Sequence, residues 1–112
     1  MRGNPSYYYV ELLRVVNTSL ETLDDDLKKL CEYIRHRASL SKDVVFYVLN
    51  YAEKNNVGGL VIISGDDASR VKYEVDLLIG FIESSLSSIR ARIIRPKHVK
   101  TLPIPVSRKI NF

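Results

Sequence analysis

The stretch "GGLVIISGDDASRVKYEVDLLIGFIESSLSSIRARIIRP", residues 58–96, constrains the fold more than any other part of the chain. Leu60 to Ile63 are apolar without alternation and bracketed by glycines, which predicts a strand buried on both faces. Asp66 or Asp67 can then cap a long helix whose Val71, Val75, Leu78, Ile79, Ile82 and Leu86 share one side. "RARIIRP" reads as a second strand, with Ile89, Ala91 and Ile93 expected inward and Arg90 and Arg92 outward by the period of two. Strand, helix and strand form a βαβ unit. Its crossover should be right-handed and its strands parallel, adjacent or separated by one other strand.

The rest of the chain supplies further elements. In "TSLETLDDDLKKLCEYIRHRAS", Leu20, Leu23, Leu27, Leu30 and Ile34 follow a 3-4-3-4 spacing, the pattern of a core-facing amphipathic helix. Thr18 with Glu21 fits a capping box, and Cys31 is expected to pack on the leucine side. "SKDVVFYVLNYAEKNN" is read as another helix, capped by Ser41, with Val45, Val48, Leu49 and Ala52 inward and Tyr47, Tyr51 and Lys54 on the opposite stripe. "SYYYVELLRVVN" leans to a strand on its tyrosines and valines. "TLPIPVSRKINF" alternates Leu102, Ile104 and Val106 with Pro103 and Pro105, so residues 101–112 form an edge strand or an extended arm. The expectation is a single α+β domain over 1–112, several helices packed on a small mixed sheet that contains the βαβ unit.

At 112 residues, 46% of them hydrophobic, the chain can build one core and not two. No apolar run reaches the ~20 residues that span a bilayer, and no signal-peptide pattern opens the chain, so a cytoplasmic protein without a membrane partner is expected. One cysteine leaves neither an intramolecular disulfide nor a Cys-based zinc site. The absence of Gln and Trp beside abundant charge is a thermophile-like signal.

Charge is strongly segregated. Seven of the 17 Lys and Arg residues, and none of the 13 acidic ones, fall at positions 90–110, so the body is slightly acidic and the end strongly basic. Such asymmetry points to a polyanion or an acidic partner. Catalysis has little to stand on: His36 and His98 have no second ligand at metal spacing, and Asp66-Asp67 serve more simply as a helix cap than as a magnesium site. "GGLVIISGDD" has neither the Lys-Ser/Thr of a P-loop nor a G-x-G-x-x-G fingerprint. No enzyme, cofactor, metal site or small-molecule substrate is therefore expected.

Arg90, Arg92, Arg95, Lys97, His98 and Lys100, with Arg108 and Lys109 beyond them, are candidate phosphate contacts, because cations about 6 to 7 Å apart along a strand can meet successive phosphates. Tyr47 and Tyr51, with Lys54 beside them, are candidate stacking groups for unpaired bases. Duplex reading by a helix is disfavoured, since the helix with Arg35-His36-Arg37 begins with three aspartates. The alternative is a homo-oligomeric assembly module whose basic arm docks on an acidic partner. It uses a second stripe on the long helix, Tyr73, Leu77, Phe81 and Ser84 with Gly80.

With "VLNYAEK" and the basic "RARIIRPKHVK" in a small α+β chain of thermophile-like composition, residues 41–100 resemble the ThermoDBP-related single-strand-binding proteins of hyperthermophilic archaea. The resemblance is one of size, composition and ingredients and carries over no site residue. It implies single-stranded nucleic acid as partner and an archaeal, thermophilic setting.

Overall fold

The structure, a computed structural model, describes residues 6–53 and 56–94, with only the backbone described for 50–53 and 56–58. The elements run β1 (Ser6–Arg14), α1 (Leu20–Leu40), β2 (Val44–Glu53), β3 (Asn56–Gly65), α2 (Ala68–Ser85) and β4 (Ile89–Ile94). The strands form one sheet in the order β2-β3-β1-β4. Every neighbouring pair is antiparallel, so the sheet is not mixed. The expected βαβ unit is present in split form: β3 and β4 run parallel with β1 between them, and β1 and β2 run parallel with β3 between them. This βαββαβ arrangement is the ferredoxin-like one.

Both helices cover one face. Val10 and Leu12 of β1, Val44 and Phe46 of β2, Val61 and Ile63 of β3 and Ile89 of β4 meet Leu30 and Ile34 of α1 and Val71, Val75, Leu78 and Ile82 of α2 in one buried cluster. Each fully buried aliphatic side chain contributes about 1.5–3 kcal/mol. Asp67 caps α2, accepting from the backbone N–H groups of Ser69 and Arg70, which is the structural role anticipated for the acidic pair. At Gly65 a Cβ would come within 2.8 Å of the Asp43 carbonyl oxygen, so the turn from β3 into α2 requires glycine.

Several expectations are corrected. Residues 44–53 are a strand and not a helix. Six of these ten residues, Val44, Val45, Phe46, Tyr47, Val48 and Tyr51, are β-branched or aromatic. Such side chains lose rotamer freedom in a helix and pack well on a pleated surface. Ser41 accordingly caps the end of α1, its N–H donating to the Arg37 carbonyl, and opens no new helix. Ser19, not Thr18, is the N-cap of α1 and accepts from the Thr22 N–H; Thr18 instead donates its hydroxyl to the Val15 carbonyl. Asn17 adopts a left-handed φ of 72°, a conformation asparagine tolerates, in the link before it. Leu20 and Leu27 are exposed, as is Cys31, because Leu30 and Ile34 make the deepest contact of α1. Ile93 shares a side with Ile89 and Ala91 yet is 46% exposed.

Two buried polar anchors tie the helices down. The Glu74 carboxylate accepts two hydrogen bonds from Arg37, Nε to Oε1 at 2.9 Å and Nη2 to Oε2 at 2.6 Å, and one from the Ser41 hydroxyl at 2.6 Å. Burial alone would raise this carboxyl, but the Arg37 and Ser41 hydrogen bonds and the charges of Arg37 and Arg70 outweigh it and hold it below the usual value. Asp26 on α1 accepts from both the backbone N–H (2.9 Å) and the hydroxyl (2.6 Å) of Ser88, just before β4. Burial again acts upward on this carboxyl and the Ser88 hydrogen bonds prevail, so it too is held low.

Candidate nucleic-acid interface

Side chains alternate across a strand, so the sheet's second face can be read row by row from the register. Tyr47, Ile62, Tyr9 and Ile94 form one row across β2, β3, β1 and β4. Leu49, Leu60, Glu11 and Arg92 form the next. Tyr7 stands beside Ser64 at one end of the face, and Arg90 lies opposite Leu13 at the other. Neither helix packs on this side.

Of the residues singled out for binding, this face unites Tyr47, Arg90 and Arg92. Tyr47 is half-buried in a strand row rather than on a helix stripe. Tyr51 lies in β2 opposite Gly58, its side chain outside the description. Lys54, Arg95, Lys97, His98, Lys100, Arg108 and Lys109 lie outside the described residues. The basic end was expected to have no acidic relief, but Arg92 donates from Nε to Glu11 Oε1 at 2.6 Å. Cross-strand pairing supplies the acid that proximity in sequence does not. Arg92 therefore brings less net charge to the face than Arg90.

Two rings escaped attention in the sequence: Tyr7, 50% exposed, and Tyr9, half-buried beside Ile62 and Ile94. Their two-residue spacing in "SYYYVELLR" places both on one face about 7 Å apart. Recognising them needed the knowledge that β1 is a central strand whose second face lacks a helix. The second stripe of α2 is partly consumed inside the chain, since Phe81 stacks on Tyr33 of α1 at a centroid distance of 4.3 Å. Tyr73 remains exposed, with Arg70 over its ring at 5.5 Å.

A cleft of about 380 Å³ at the β4 edge is lined by Glu83, Leu86, Ser87, Ile89, Arg90 and Ala91, a set without a nucleophile and base in partnership. Among the described residues, no group of three or more His, Cys, Asp or Glu side chains could hold a metal ion. No helix among them is long and apolar enough to cross a membrane.

No family model matches the chain, and no curated protein matches it. Among solved structures, the de novo designed protein Foldit4 is similar, with a TM-score of 0.51 and 20% identity over 80% of this chain and 98% of that one. At that identity the likeness concerns the fold alone: two helices on one side of a four-stranded antiparallel sheet.

Proposed function

We propose that the protein binds nucleic acid, preferentially single-stranded and largely without regard to sequence, on the helix-free face of its sheet. One observation carries this reading: Tyr7, Tyr9 and Tyr47 share that face with Arg90 and Arg92, on the edge strand that leads into the basic segment after Ile94. Open four-stranded sheets with outward aromatic rings stack unpaired bases, and adjacent cations neutralise the backbone. A cytoplasmic location is part of the same proposal. The ThermoDBP-like expectation points to the same ligand, although residues 48–53 of "VLNYAEK" belong to β2 and not to a helix.

A filter-binding titration with single-stranded DNA, RNA and duplex at two salt concentrations tests it. Four or five phosphate contacts should give a log-log salt slope of about −3 to −3.5, at ~0.7 per contact on a single strand. Replacing Arg90, Lys97 and Lys100 together by Gln should flatten that slope by about 2 units and weaken all sequences alike. Arg92 is left in place because its removal would also take a hydrogen bond from Glu11. Tyr7→Ala should cost about 1–3 kcal/mol of stacking, a loss of roughly fivefold to over a hundredfold in affinity, with little change in Tm because the ring is half exposed. No binding to any nucleic acid at low salt would favour the alternative, an oligomeric module docking on an acidic partner. Of that alternative's stripe, Tyr73 is exposed and Leu77 half-buried, while Phe81 is stacked on Tyr33 within the chain.

A further inference from the structure

The strand β4 pairs with β1 on one side, and no described strand lies on its other side. The Val15 N–H donates to the Ser88 carbonyl at 2.8 Å, so these two residues face each other as a hydrogen-bonded pair. Antiparallel pairs alternate in kind. Arg90 and Arg92 therefore also turn their backbone groups toward β1, and Ile89, Ala91 and Ile93 turn theirs outward. Along the outer edge, N–H and C=O groups stand at the alternate positions that a further strand would need.

The side chains of this edge are sorted by face. Ile89, Ala91 and Ile93 stand on the helix side, where Ile93 is 46% exposed. Beside them opens the cleft of about 380 Å³, with buried Leu86 and Ile89 and half-buried Ala91 as apolar lining and exposed Glu83 and Ser87 from the end of α2. Arg90 and Arg92 stand on the other face, Arg90 exposed and Arg92 with 64% of its side chain exposed. Glu83 disfavours a carboxylate in the cleft, whereas the arginines favour carboxylates on the opposite face.

β1 already shows what fits against such a strand. Its Val10, Glu11 and Leu12 lie opposite Ile93, Arg92 and Ala91, and Glu11 accepts from Arg92. Apolar, acidic, apolar is thus the alternation that this chain itself sets against β4, and Arg90, opposite Leu13, has no acid facing it in that pairing. A second copy of β4 does not supply the pattern. A two-fold axis through Ala91 would set Arg90 opposite Arg92 twice, and an axis through Arg90 or Arg92 would set that arginine opposite itself.

We propose that the outer edge of β4 captures an extended peptide of alternating apolar and acidic residues as a fifth, antiparallel strand. Its acidic side chains lie opposite Arg90 and Arg92, in non-hydrogen-bonded pairs, where facing side chains stand closest. Its apolar side chains lie opposite Ile89, Ala91 and Ile93 and enter the cleft, and the outward backbone groups of those three residues bond its main chain. The edge shares its arginines with the nucleic-acid reading but needs neither base nor phosphate, so it stands or falls separately.

The test uses the full chain, free of nucleic acid, with the capped synthetic peptide TVEIEVT and its lysine counterpart TVKIKVT. In the free protein, amide exchange followed by NMR should be faster at Ala91 and Ile93 than at Arg90 and Arg92, and the acidic peptide should slow the first two. The lysine peptide should bind about tenfold more weakly or not at all. Arg90→Glu should weaken the acidic peptide about fivefold and strengthen the lysine one. Ala91→Pro removes an outward N–H and no bond to β1, so it should abolish binding while circular dichroism stays that of the wild type; should it fail to fold, the exchange pattern and the charge reversal still decide. Equally slow exchange at all four amides of the free protein overturns the proposal. So does an acidic peptide that fails to bind, or that binds and leaves Ala91 and Ile93 unchanged, which would place it on other basic groups.

Discussion

Arg37→Ala is expected to lower stability by about 3–5 kcal/mol, the cost of stranding one member of a buried ion pair. The Glu74 side chain has no exposed surface, and Arg37 supplies two of its hydrogen bonds. Without it, the carboxylate keeps the Ser41 hydroxyl and a distant Arg70 at 3.9 Å. Glu74→Ala should cost less, because the partly exposed Arg37 can turn to water. The double variant Arg37→Leu/Glu74→Leu should recover much of the loss, since apolar packing often matches a buried pair. Urea midpoints at constant m-value would establish all three.

The same carboxylates set the acid limit. Glu74 and Asp26 are both held below their usual values, so the unfolded chain binds their protons first as pH falls. Their contribution is complete above the unfolded carboxylate range, near pH 4 to 4.5, and is lost as pH drops through the lower folded values. Wild-type Tm should therefore fall on acidification below about pH 4.5. Glu74→Gln, less stable at neutral pH, should show a shallower dependence.

Asp26→Ala should cost about 2–4 kcal/mol, because the fully buried Ser88 would lose the acceptor of both its N–H and its hydroxyl, at ~1–3 kcal/mol for each group left unsatisfied. Asp26→Asn retains a carbonyl oxygen and should cost less. Native-state hydrogen exchange at the Ser88 amide should speed up in the alanine variant more than at amides in the middle of β3. Arg90 lies two residues further on, so, on the nucleic-acid binding proposed above, loosening this anchor should also weaken that binding at temperatures where the fold persists.

The βαβ half of the molecule was legible from its residues because each element carried an unambiguous period. Leu60–Ile63 were apolar throughout, the α2 face repeated at helical spacing, and Asp67 sat where a cap belongs. β2 was misread because four apolar residues in "VVFYVLNYA" also fall within a helical arc, and that coincidence outweighed β-branching that should have decided the case. The sheet order was not legible: the pairing of Tyr9 with both Ile62 and Ile94 joins segments some fifty and more than eighty positions away. For the same reason, the site could be anticipated as a basic edge with tyrosines, but not as the particular rings of Tyr7 and Tyr9. Glu11 and Arg92, 81 residues apart, escaped on the same ground.

The place of β1 between β3 and β4 bears on how the chain is made. Synthesis runs from the amino terminus, so Ser6–Arg14 emerge before the other three strands, yet both of their hydrogen-bonding partners, β3 and β4, come more than forty residues later. The nascent segment therefore waits with both edges unpaired and three consecutive tyrosines exposed until residues 56–65 and then 89–94 have left the ribosome. Hairpin β2-β3 and helix α2 can form locally before that, but the sheet cannot close. The earliest of the four strands thus gains its second partner only with the latest, and during that interval it is open to a chaperone or to pairing with the β1 of another nascent chain.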